Sequence, residues 1–145
     1  MLEINLAGVI TLARVCLPAI LERPAPRHGR FVAVASAAAT RGLPLLAAYC
    51  ATKAGVTGLV SGLAAELRGT GVTANAVSPG ATDTPILAES ARLYGLDGAS
   101  AFARQQPLER LLRPEEVAGA VRWLLSREAD AVTGATLAVD GGLSL

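Results

Sequence analysis

The sequence predicts an α/β protein in which a parallel β-sheet is covered by helices. Three short apolar runs, "GRFVAVAS", "VTANAVSPG" and "TGATLAVDGG", have the length and character of buried strands. They alternate with longer segments of helical periodicity, the order expected when helices join parallel strands. At 145 residues, 52% of them hydrophobic, the chain is long enough for one domain with a core.

Taken in order, "NLAGVITLARVCLPAILER" carries apolar residues at helical spacing, and a buried helix is expected there. It stops at "RPAPRHG", where proline and glycine break the pattern. "GRFVAVAS" follows as the first strand and "TRGLPLL" as a loop. "AAYCATKAGVTGLVSGLAAELRGTG" reads as a long helix, apolar on most sides and closed by Gly69 and Gly71. "VTANAVSPG" is the second strand and runs into a Pro-Gly turn. The stretch from "ATDTP" to "LERLL" holds short helical patches without a core stripe, as a mobile lid would. "RPEEVAGAVRWLLSREA" puts Pro114 at the first helical position and Glu115 and Glu116 in the first turn, a favourable helix start. "TGATLAVDGG" closes the order as the third strand. Parallel sheets gather function at the C-terminal ends of their strands. Those ends fall at Ser36, at Ser78, Pro79 and Gly80, and at Asp140, Gly141 and Gly142.

Composition narrows the function. A net charge of +1 provides no field for nucleic acid or an anionic membrane. Cys16 and Cys50 lack metal-ligand spacing and read as small buried hydrophobes. The apolar start of the chain has no basic leader and carries Asn5, Arg14 and Pro18, so a helix of a soluble protein is expected rather than a membrane span. A soluble, cytoplasmic protein is therefore the expectation. His28, the sole histidine, precedes a strand in "APRHGR" and is expected at the surface.

The stretch "YCATK" carries the chemistry. Lys53 is the only lysine among 13 basic residues and stands four positions after Tyr49, at the start of the long helix. Residues four apart share one helical face. A free phenol titrates near pH ~10, too high for proton transfer at neutrality, and a nearby ammonium favours its ionised form. The pair is thus a candidate proton donor and acceptor. The alternative is a structural ring beside a solvated lysine.

The neighbours of this pair extend the pattern. Ser36 lies thirteen residues before Tyr49, "NAVSPGATDTP" follows one helix and one strand later, and "PEEVAGAVRWLLS" and "VTGATLAVDGG" close the chain. In this order and at these spacings the sequence resembles the short-chain dehydrogenases/reductases over essentially all its residues. The resemblance implies a Rossmann-like parallel sheet with helices on both faces. It also implies hydride transfer between NAD or NADP and a small-molecule alcohol or carbonyl substrate. Tyr49 would be the general acid/base. Lys53 would favour the ionised phenol and bind the nicotinamide ribose, which Tyr49 also adjoins. Ser36 would hold the substrate oxygen, and Asn5 would hold a water that links Lys53 to solvent. Pro79 and Gly80 would form the wall against the nicotinamide. Thr82, by its backbone, and Thr84, by its hydroxyl, would bind the carboxamide. The structural alternative for these last residues is a turn capped by Asp83 or Thr84. Residues 85–107 would be the substrate lid. A homodimer or homotetramer is expected for the full-length form, through the first and the long helix.

The resemblance covers only the second half of that fold. Residues 1–145 would be a single partial domain retaining three strands, and no G-x-x-x-G-x-G turn for a pyrophosphate is present. The strand ending at Ser36 would then be an open apolar edge, and helices around Leu12 and Leu59 would lack partners. A poorly stable or self-associating isolated chain is expected. So is an in-frame upstream segment, the initial "MLEIN" standing where relatives read "VLEIN". The alternative function is an inactive remnant or association module. A serine hydrolase is disfavoured, because Ser61 in "GLVSG" is one place off the nucleophile-elbow pattern.

Overall fold

The computed structural model describes residues 1–24 and 28–145. Three parallel strands, β1 (Arg30–Val34), β2 (Thr73–Pro79) and β3 (Thr136–Val139), form one sheet in the order β1-β2-β3. The registers Phe31↔Ala74 and Ala33↔Ala76 align side chains of one face. Val77↔Leu137 and Pro79↔Val139 extend the sheet to β3.

Helices cover both faces, for reasons written in the strand alternation. On one face Phe31, Ala33, Ala74 and Ala76 are buried against Ala13 and Leu17 of α1 (Gly8–Leu21) and Val56 and Val60 of α2 (Ala47–Glu66). The alanines let both helices sit close to the sheet. On the other face Val77, with Val32, Leu137 and Val139, packs on Leu124, Val117 and Val121 of α4 (Pro114–Leu125). α3 (Pro85–Leu93) and a 3₁₀ segment, Ala99–Gln105, occupy the expected lid. The loop, the strands and the Pro114 helix start agree with the sequence reading. The break at "RPAPRHG" lies partly outside the described residues, and His28 is exposed.

Two expectations need correction. The first helix is not buried: α1 and the preceding π turn, Glu3–Ala7, bury only Ala13 and Leu17. Leu6, Val9 and Ile20 pack inward, while Ile4, Leu12 and Val15 point outward and are exposed. The helix is thus apolar on two faces and only one meets the sheet. Its span Glu3–Leu21 is long and apolar enough to cross a membrane by length and composition, with a mean hydropathy of 1.9. Cys16 and Cys50 are half-buried free thiols rather than core residues: the buried positions are Ala13 and Leu17 on α1, and Thr52, Val56 and Val60 on α2.

One buried polar side chain ties the far end of the sheet together. Asn75 in β2 is fully buried; its amide donates to Val132 O at 2.8 Å and accepts from Ala135 N at 3.1 Å. That pairing satisfies an amide which would otherwise be costly beside α4.

Candidate active site

The C-terminal end of β1 meets the first turns of α2. Ser36 lies two residues beyond β1, where its Oγ accepts from Ala38 N at 3.1 Å and caps the 3₁₀ turn Ala37–Ala39. The turn packs against α2. The Ser36 hydroxyl therefore keeps its own proton free to donate. Tyr49 is the third residue of α2, and its hydroxyl makes no hydrogen bond among the described residues.

Lys53 joins the two elements. Its Nζ donates to Val34 O at 2.9 Å and lies 5.8 Å from the centre of the Tyr49 ring. Burial pushes the Lys53 ammonium below its ordinary value. Within this corner the structure brings Tyr49, Lys53 and the strand end beside Ser36 together. Asn5 sits inside the π turn Glu3–Ala7, which packs on α2, and its side chain has no hydrogen bond among the described residues. Single π turns in helices occur frequently at functional sites, because they displace a carbonyl from the helical ladder. The turn approaches α2 at Gly55, where an added Cβ would come within 2.8 Å of a Leu6 methyl and displace that side chain.

Residues 79–84 leave β2 as a strip paired to the chain before α4. Leu112 N donates to Ala81 O at 2.9 Å and Asp83 N to Leu112 O at 2.8 Å. This leaves the Thr82 N–H as a donor with no partner among the described residues. The Thr82 hydroxyl, in contrast, is engaged with Gly80 O at 3.1 Å. Thr84 caps α3: its Oγ accepts from Leu87 N at 3.3 Å and donates to Thr82 O at 3.2 Å. Gly80 is required by its own surroundings, since a Cβ there would lie 2.6 Å from Asp140 O and 2.3 Å from Gln106 Oε1. Pro79 ends β2 beside Val139.

Sequence reasoning passed over Gln106, which is 1% exposed behind this strip. Its Oε1 accepts from Ala81 N at 2.6 Å and its Nε2 donates to Arg110 O at 2.6 Å. The only signal in the sequence was a second amide before Pro107, in a stretch read as lid. Asp140 supports the neighbouring turn: burial opposes its charge, but bonds from the Ser144 hydroxyl and from the Gly142 and Ser144 N–H groups hold its carboxyl below the usual range. No cluster of metal-ligating side chains occurs among the described residues.

The family model described as enoyl-(acyl carrier protein) reductase matches residues 1–144. A short-chain type dehydrogenase/reductase of Sinorhizobium fredii is 43% identical over 97% of the chain, which spans 25% of that protein. The 3beta-hydroxysteroid dehydrogenase 1 of Eggerthella lenta is 38% identical over 99% of the chain and 54% of its own length. The crystal structure of an actinorhodin polyketide ketoreductase variant with NADPH superposes with a TM-score of 0.88 at 37% identity, over 97% of this chain and 56% of that one. The chain thus spans about half the length, or less, of the relatives it matches. A family match over nearly every residue, with solved structures of the same parallel α/β fold, assigns the chain to the short-chain dehydrogenase/reductase family.

Proposed function

We propose that residues 1–145 form the catalytic portion of an NAD- or NADP-dependent oxidoreductase that interconverts a small-molecule alcohol and its carbonyl compound. One observation carries this reading: Lys53 is held between the Val34 carbonyl and the Tyr49 ring, while the Tyr49 hydroxyl is left without a partner among the described residues. In reduction Tyr49 Oη gives its proton to the substrate oxygen, and in oxidation it takes that proton back. The Ser36 hydroxyl donates to the same oxygen and orients it. The Lys53 ammonium, partly desolvated, stabilises the phenolate that remains. Asn5 holds a water through which Lys53 exchanges protons with solvent.

The nicotinamide end of the cofactor fits the residues present, because the unpartnered Thr82 N–H suits a carboxamide oxygen. Pro79 and Gly80 would form the wall beside the ring, Thr84 would lie at the carboxamide, and Tyr49 and Lys53 would adjoin the ribose. When bound, the cofactor supplies or accepts the hydride. A cytoplasmic homodimer or homotetramer belongs to the same reading of the full-length protein. Isothermal titration of that protein with NADH and NADPH is expected to give saturable binding of one of them, and turnover of cyclohexanol or cyclohexanone as a probe pair. Binding of neither would reject the proposal.

A second reading, an association module without catalysis, draws on a different observation. Ile4, Leu12 and Val15 are exposed on α1, and a groove of about 460 Å³ runs between α1 and α2, lined by Ile10, Leu17, Leu59 and Leu63. Self-association with no cofactor binding would favour it.

A further inference from the structure

The segment between Thr84 and Gln106 is held very differently at its two ends. At the stem, the buried Gln106 amide is satisfied by Ala81 and Arg110, and Leu112 pairs on either side of Thr82. At the tip, α3 closes in a Schellman motif: Gly95 N donates to Arg92 O at 3.1 Å and Leu96 N to Ala91 O at 2.9 Å, with Gly95 at φ 65°. That closure fixes Tyr94 as the C-cap residue that ends α3. Its ring meets Phe102 edge-on at 6.1 Å, and its hydroxyl donates to Pro44 O at 2.5 Å. Among the described residues, this is the only hydrogen bond from residues 85–105 to any residue outside 84–106.

The acceptor is well placed to matter. Pro44 lies in the loop joining Ser36 to Tyr49, five residues before the tyrosine. The other end of that loop is fastened by Arg41, whose Nη1 donates to Leu143 O at 2.8 Å. Next to Pro44, Leu45 has φ 61° and is 90% exposed. A branched-chain residue in the left-handed region is strained, and such strain gathers at clamps and switches. A strained apolar residue thus stands in the open beside the hydrogen bond that fastens the tip.

We propose that Tyr94 is the latch of the substrate lid: its bond to Pro44 keeps α3 against the loop that carries Tyr49, and its release opens the way for an alcohol or carbonyl substrate. The inference rests on the function proposed above. One bond near solvent opens far more readily than a buried amide bonded on both sides, so the tip moves while the stem at Gln106 stays. Tyr94 acts through the loop and touches no reacting atom; it is a positioning residue.

The test is Tyr94→Phe in the full-length protein, which removes the hydroxyl and keeps the ring on Phe102. Amide hydrogen exchange, without ligand, is expected to rise roughly three- to tenfold across residues 85–105, the loss of one ordinary hydrogen bond, and to stay unchanged in Thr73–Pro79. With cyclohexanol as probe, its KM is expected to rise several-fold at constant kcat and constant cofactor KM. Unchanged exchange in 85–105 would overturn the latch, as would an equal rise in β2, which would mark a general loss of stability. Retained turnover in Tyr49→Phe would reject the proposed function while leaving the exchange result intact, so the two failures are distinguishable.

Discussion

Lys53 connects a strand to a helix with a single side chain, and the functional reading depends on that placement. The spacing of Tyr49 and Lys53 was legible because helical periodicity alone puts them on one face. The partner of Lys53 was not, since Val34 is nineteen residues away and meets it only once β1 and α2 pack. Gln106 and the Tyr94–Pro44 bond were hidden for the same reason: a contact across twenty-five or fifty residues leaves no local pattern. Two residue-scale predictions follow from the geometry. Asn75→Ala strands the Val132 carbonyl and the Ala135 N–H, and should cost about 3 kcal/mol in chemical denaturation. Glu109 is a non-glycine residue at φ 49°, so Glu109→Gly should stabilise by about 1 kcal/mol, read as a higher denaturation midpoint.

Helix ends were the most readable elements. Pro114 and the acidic first turn marked the start of α4, and the structure adds the reason for its stability: Glu116 accepts from Arg113 N at 2.8 Å and pairs with the Arg110 guanidinium through both oxygens. The Arg110 hydrogen bond and the Arg113 N–H hold the Glu116 carboxyl down at about 2. A depressed acid stabilises the fold above its unfolded value and loses that contribution as pH falls through its folded one. The share of stability from Glu116 should therefore fade between roughly pH 4.5 and 2. Glu116→Gln should flatten the pH dependence of melting in that window: it should lower the melting temperature at pH 7, where the carboxylate contributes, and change it little near pH 2. The π turn at Asn5 was not legible, because five residues of helical sequence look alike whether the ladder closes at four or five. The outward stripe of α1 was misread as burial, since periodicity reports how apolar a face is and not what covers it.

At the scale of the whole molecule, the parallel direction of the strands followed from three apolar runs separated by helices, while their order β1-β2-β3 came only with the structure. The edge did not need side chains to foresee: β1 pairs with β2 alone, and Val34 is 50% exposed on it. Lys53 satisfies one carbonyl of that edge, which leaves the rest of the strand open to another chain. The 145-residue chain on its own is expected to self-associate or to need a complementing segment. Light scattering after size-exclusion chromatography reads this directly, and a monodisperse monomer with a sharp melt would contradict it. The larger claim is that one corner of this sheet moves a proton. Its most direct test is cyclohexanol-dependent reduction of NAD or NADP by the full-length protein, compared with Tyr49→Phe. The account predicts that the substitution abolishes turnover while cofactor titrations stay nearly unchanged; turnover that survives the loss of the phenol would contradict it.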